Sequence, residues 1–255
     1  MNDARALVLF SGGQDSTTCL AWALDRFARV ETIGFDYGQR HRVELEARNT
    51  VLDGIRRGFP HWAPKLGDDH VVDLGVLKRF NEPGPVQPGL ATLKNAAHST
   101  VPGRNVAFLM FAAMVAYRRA SNHLVTGVCY ADHADYPDTR DDTMKAVQLA
   151  LNLGMESRFV VHTPLMWIDK ADSWRLALTL GGDDLIALII EESHTCFEGD
   201  REHRHEWGRG CGSCPACSMR AQGYEIFKAR IADEPPMQHR PNGRGCSTAP
   251  QSRTA

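Results

Sequence analysis

The chain has 255 residues, with 31 acidic against 29 basic side chains for a formal charge of -2, and 43% of its residues are apolar. These proportions describe one large folded domain, or one with a small appendage, and they exclude global disorder. Near-neutral charge also argues against a protein that coats nucleic acid or anionic membrane, so small ligands are expected and no stable nucleic-acid partner is.

Residues 4–10 (ARALVLF) form a short apolar run ended by Gly12 and Gly13, and an amphipathic stretch follows over residues 16–28. The pattern predicts strand, tight loop, helix. A second strand is expected at residues 30–36, a helix at 42–57 with Val43, Ala47, Val51 and Ile55 spaced by four, and a third strand at 70–74. Strands alternating with helices of this length predict a parallel sheet covered on both faces. Between Lys78 and Gly103 the pattern stops at Pro83, Pro85, Pro88 and Pro102, and a connection this long and irregular points to function or disorder. Order resumes with a helix at 105–120, a strand at 123–128, a helix at 141–153, a strand at 158–162, helices at 170–180 and 183–191, and a last helix at 218–231.

The most apolar segment, residues 106–117, is followed by Arg118 and Arg119 and falls short of the roughly 20 residues a membrane span needs. The N-terminal residues lack a basic stretch leading into a long apolar one, so no secretion signal is read there. Seven cysteines, three of them at 211, 214 and 217, suit a metal site in a reducing compartment, and the cytosol is the expected location. The organisation expected is an α/β body over residues 1–193, a zinc-binding segment over 194–232, and a mobile tail over 233–255 rich in Pro, Arg, Gly and Ser.

Ser11-Gly12-Gly13-Gln14-Asp15-Ser16 lies where the first strand ends and a helix opens, which is the ligand-binding edge of an open parallel sheet. Two glycines admit close approach of an anion, N–H groups at the helix start face it, and Ser11, Ser16 and Thr17 add hydroxyls. Phosphate or pyrophosphate is the expected ligand, with Asp15 holding a magnesium ion that bridges phosphate oxygens. Taken alone, the same residues also fit a plain strand-to-helix turn capped by Asp15 and Ser16. Neither a Walker-type loop nor a dinucleotide fingerprint is present near this strand.

Cys211, Cys214 and Cys217 form two overlapping Cys-x-x-Cys pairs, and Cys196 lies upstream. Four thiolates match tetrahedral zinc in a closed, structural shell, with Gly210 and Gly212 allowing the turns that aim the sulfurs. His203 and His205 are alternatives to Cys196, or solvated loop residues beside Glu202 and Glu206. Of the remaining cysteines, Cys19 and Cys129 are expected in the core and Cys246 in the tail.

The SGGxDS loop resembles that of the N-type ATP pyrophosphatases, which cleave ATP between the α and β phosphates and activate a carbonyl oxygen as its adenylate. Further stretches narrow the resemblance: FDYGQRH at 35–41, VPGRN at 101–105, YPDTR at 136–140 and TPLMWIDK at 163–170, in order with the loop and the cysteines. Together they resemble the 7-cyano-7-deazaguanine synthase family over residues 5–232. Two departures are Thr139, where many relatives carry Cys, and the longer spacing from Cys196 to Cys211.

The resemblance implies a doubly wound, Rossmann-like sheet of the adenine nucleotide alpha hydrolase type. It further implies conversion of 7-carboxy-7-deazaguanine and ammonia to the nitrile with ATP, magnesium and structural zinc, in a homodimer supplied with free ammonia or by a separate donor. ATP contacts are expected across Phe10, Ser11, Gly12, Gly13, Gln14, Asp15, Ser16, Thr17, Thr18, Cys19 and Leu20, with Asp15, Arg104 and Lys170 in catalysis. Arg104 and Lys170 are cations at helix starts, poorly placed unless an anion is near. Gln39, Arg40, His41, Asp132, Asp135, Tyr136, Asp138 and Arg140 are expected around the substrate, with His41 one candidate base, although the residues from Asp135 to Asp141 also fit a solvated charged turn. Cys196, Cys211, Cys214 and Cys217 are the expected metal ligands. Two other functions fit parts of the pattern: a pyrophosphatase of the same type acting on tRNA, DNA or protein, and a zinc-dependent nucleic-acid-binding module with an incidental loop.

Overall fold

The computed structural model describes residues 3–38, 43–80, 101–129 and 136–233. Gln39, Arg40, His41, Asp132, Asp135, Cys246, most of the Pro-rich connection and residues 234–255 of the tail lie outside them. Five strands make one sheet in the order β3-β2-β1-β4-β5: β1 (Arg5–Leu9), β2 (Arg29–Asp36), β3 (Leu66–Asp73), β4 (His123–Val125) and β5 (Val160–His162). Every pairing is parallel. The chain winds outward from β1 to β3 and then crosses back to β4, so the order reverses beside β1, where ligands bind in sheets of this kind.

Alternation along β1 divides the core. Ala6 and Val8 face one layer with α1 (Gln14–Arg26), α2 (Val43–Gly58), α5 (Lys170–Glu192) and Phe227 of α6 (Pro215–Ala232). Leu7 faces the other, with α3 (Arg104–Arg118) and α4 (Asp141–Gly154). The doubly wound parallel sheet expected from the strand–helix alternation is therefore present. A short antiparallel pair, β6 (Arg204–His205) and β7 (Gly208–Arg209), precedes α6.

The departures from the expected boundaries have physical causes. β3 begins four residues earlier than the apolar signal at His70, because as an edge strand it carries polar residues: Asp69 accepts from Thr32 Oγ1 at 2.6 Å and pairs with the buried Arg48. β4 stops at Val125, short of the expected Val128, as the chain passes the loop; a Cβ at Gly127 would lie 3.2 Å from Ser16 N. The two helices expected at 170–180 and 183–191 form one run broken at Gly182, whose φ is 64°. α6 begins at Pro215 rather than residue 218, because Cys214 caps it by accepting from Cys217 N.

Candidate active site and metal centre

The loop after β1 is shaped by its own hydroxyls. Ser11 N donates to Ser16 Oγ at 3.2 Å, Gly13 N to Ser11 Oγ at 3.3 Å, and Ser16 Oγ and Thr17 Oγ1 donate to Gly13 O at 3.1 and 2.8 Å. Gly12 adopts φ 86°, and a Cβ there would stand 2.9 Å from the backbone nitrogen of Arg48, so α2 presses directly on the loop. Gly13 is less tightly confined, with a Cβ position 3.3 Å from His194 O, and His194 N donates to Gly12 O at 2.9 Å. Of the residues expected to meet ATP, Phe10, Cys19 and Leu20 lie in the core behind the loop. Cys19 Sγ is 3.7 Å from Thr126 O, and burial raises its pKa well above that of a free thiol, which makes it a packing residue rather than a nucleophile.

Asp15 sits in the first turn of α1 and pairs with Lys170 Nζ, while its other oxygen accepts from Ser173 Oγ at 3.3 Å. The anion that a cation at the start of α5 requires is thus supplied first by the protein, through Asp15 and through Asp169, which caps the helix by accepting from Asp172 N at 2.7 Å. Ser173 escaped the sequence reading; its only signal is a position one helical turn beyond Lys170.

Arg104 does not join this pair. Its Nη1 donates to the Tyr37 hydroxyl at 3.3 Å, and its guanidinium lies 5.4 and 5.8 Å from the ring centres of Tyr37 and Phe108. Asp138 is occupied as a cap for α3, accepting from Asn105 N at 2.7 Å and Asn105 Nδ2 at 3.1 Å. Arg140 is exposed at the start of α4, and Tyr136 approaches Tyr37 closely enough to influence its ionisation. The YPDTR and VPGRN stretches therefore meet, but through a helix cap.

Cys196, Cys211, Cys214 and Cys217 place their sulfurs within 4.8 Å of one another. Backbone N–H groups aim at three of them: Cys211 N at Cys196 Sγ (3.4 Å), Cys214 N at Cys211 Sγ (3.3 Å) and Cys217 N at Cys214 Sγ (3.5 Å). Hydrogen bonds from the Ser213 hydroxyl and nearby backbone pull the Cys211 thiol down, whereas burial pushes those of Cys196 and Cys217 up. The histidines are otherwise engaged. His203 pairs with Asp200 at 2.6 Å, and His205 bonds Gly210 O at 2.9 Å while stacking on Trp207. Four cysteine sulfurs with N–H···S support fit a closed tetrahedral metal shell.

The cysteine cluster and the loop are joined through α6. Arg220, fully buried, donates to Trp207 O (2.9 Å), Ile189 O (2.9 Å) and Thr195 Oγ1 (3.0 Å), tying α6 to the end of α5 and the segment beside Gly13. One turn on, Gly223 lets the stem of Lys170 lie against the helix, for a Cβ there would be 2.7 Å from Lys170 Cβ and Cγ. Gly223→Ala is expected to move Lys170 off Asp15 and to destabilise the fold by about 1–3 kcal/mol. A thermal melt checks it, and a wild-type melting point in the variant would refute the contact's importance.

Among the described residues no helix is long and apolar enough to cross a membrane. Residues 5–228 match the family model described as queuosine biosynthesis protein QueC. The chain is 59% identical over 229 residues to the 7-cyano-7-deazaguanine synthase of Polaromonas sp., covering 89% of this chain and 97% of the relative. To the 7-cyano-7-deazaguanine synthase of Methylorubrum extorquens it is 57% identical over 233 residues, covering 91% and 96%. Among solved structures, a 4-thiouridine synthetase–RNA complex with bound ATP aligns at a TM-score of 0.48 and 15% identity, over 90% of this chain and 51% of that one. A match running from β1 to α6 extends far beyond a shared loop, and the chain belongs to the QueC family of queuosine biosynthesis proteins.

Proposed function

We propose that this chain makes 7-cyano-7-deazaguanine from 7-carboxy-7-deazaguanine and ammonia, consuming two ATP. The observation that carries the reading is the loop–helix anion cradle with Lys170 beside it, in a chain 59% identical to a protein named for that product. A carboxylate is a poor electrophile because oxide would have to leave. Attack of its oxygen on the α-phosphorus of ATP expels pyrophosphate and leaves an acyl adenylate, from which ammonia displaces AMP to give the amide. The amide oxygen then attacks a second ATP, again expelling pyrophosphate. Loss of the remaining nitrogen protons and of AMP leaves the carbon–nitrogen triple bond.

At each attack negative charge grows on the phosphoryl oxygens. Backbone N–H groups of the loop, the hydroxyls of Ser11 and Ser16, and the Lys170 ammonium are the donors we assign to it. Asp15 orients Lys170 and would also hold magnesium, which supplies further charge neutralisation when bound with ATP. The segment over residues 194–232 serves as a zinc-holding unit on the body formed by 1–193; with a closed cysteine shell the zinc contributes folding energy rather than chemistry. The ammonia comes free or from a separate donor. The active form is a homodimer, which a solution mass near twice the 28.3 kDa of the chain would bear out and a monomer's mass would not.

The test is incubation of the metal-replete protein with the acid, ATP, magnesium and ammonium. Two AMP and two pyrophosphate per nitrile are expected. ATP consumption without nitrile would redirect the reading to another acceptor, and no AMP at all would end it.

A further inference from the structure

Beside the loop, at the end of β2, lies a second constellation. Phe35 and Phe108 stack face to face at 4.3 Å, and Tyr37 leans on Phe108 at 5.4 Å. Arg104 lies over Tyr37 and Phe108, with its Nε buried and without an acceptor. Glu44 stands in the first turn of α2, close enough that Arg104 bears on its ionisation and that it bears on Tyr37. Yet among the described residues no hydrogen bond or ion pair holds its carboxylate. Burial pushes the Glu44 carboxyl up, and Arg104 opposes that shift. The backbone of Glu44 also borders the loop, its carbonyl oxygen lying 3.0 Å from where a Cβ on Gly12 would be.

A half-buried carboxylate with no donor and a guanidinium N–H with no acceptor are both costly to leave unmet. One flat ligand edge answers both: an acceptor adjacent to two donors. The edge of a 7-deazaguanine base has that order, with a ring carbonyl beside a ring N–H and an exocyclic amine. A carboxylate accepts such a pair of N–H groups in bidentate fashion, and the neighbouring Tyr37 ring suits a planar partner.

The geometry points to Glu44 as the residue that reads the N–H and amine edge of the substrate base, with Arg104 donating to the neighbouring ring carbonyl. This inference rests on the substrate proposed above and assigns its specificity to residues outside the ATP loop. Arg104 then has a second task, since its charge opposes the protonation of Glu44 that burial favours.

The experiment compares 7-carboxy-7-deazaguanine with its analogue lacking the exocyclic amine, in wild type and in Glu44→Gln, with KM for ATP measured alongside. Wild type should prefer the amine-bearing acid by roughly 10- to 100-fold. Glu44→Gln, which turns one acceptor into a donor, should raise KM for that acid by a similar factor, reduce the preference to about 3-fold or less, and leave KM for ATP within about 2-fold. Wild-type indifference to the amine overturns the inference whether or not the variant folds. A variant that loses kcat alone, along with one limb of the pH profile, overturns it too, by making Glu44 a base. If wild type makes no nitrile from the parent acid while still turning over ATP, the substrate assignment itself has failed, an outcome distinct from the other two.

Discussion

Lys170→Met is expected to cut the rate of AMP formation by about 100- to 1000-fold, the range seen when one preorganised donor to a developing oxyanion is removed. Lys170 is held firmly in place. Its side chain is 11% exposed, its ammonium pairs with Asp15, and its stem is confined by the absent Cβ of Gly223. Methionine preserves most of the stem volume and deletes the charge. Asp15 would keep only Ser173, so some loss of stability, about 1–3 kcal/mol, accompanies the change. Single-turnover quenching with labelled ATP separates chemistry from product release. A variant that forms AMP at the wild-type rate would remove Lys170 from the mechanism.

Cys214→Ser is expected to have the second large effect, and for a different reason. Cys214 is at once a member of the sulfur cluster and the residue that caps α6. Serine can cap a helix but is a poor ligand for a soft thiolate site, so the substitution removes the metal while sparing the cap. Binding energy at a closed site is folding energy, and loss of such a site belongs among changes costing more than about 4 kcal/mol. For a chain of this size that corresponds to a fall in Tm of roughly 8–16 °C. Turnover should drop with it, because α6 carries both Arg220, which fastens the segment next to Gly13, and Gly223, which seats Lys170. Metal analysis together with a thermal melt checks this. A variant that keeps its melting point after losing its metal would make the cluster dispensable to the fold.

The strand–loop–helix at the start of the chain and the cysteine cluster were legible because each is carried by neighbours in sequence. Glycines, hydroxyls and thiols at short spacing announce their chemistry without help from the rest of the fold. The Asp15–Lys170 pair was not legible, since its partners are 155 residues apart and meet only once α5 lies against α1. Lys170 reads from sequence as a cation in want of a phosphate, whereas the structure first gives it a carboxylate. Asp138 shows the converse, a charge in a conspicuous motif that the fold uses to cap α3. Glu44 gave no warning at all, because an acidic residue in the first turn of a helix is what the helix dipole favours anyway. Only its burial among Arg104, Tyr37 and the loop sets it apart. The early half of β3 carries little apolar signal because Asp68, Asp69 and His70 there are held by Arg119, by Thr32 and Arg48, and by Glu31, partners that sequence does not reveal.

The bond from His194 N to Gly12 O has a consequence for how the molecule is made. Residues that emerge early from the ribosome as β1 and its loop are fastened by residues that emerge far later. At about 5–20 residues per second, the 155 positions between Asp15 and Lys170 alone represent roughly 8–30 s of synthesis. During that interval the nascent chain carries a loop with neither its lysine nor its clasp, so the loop reaches its final shape only after α5 and the segment following it have been made.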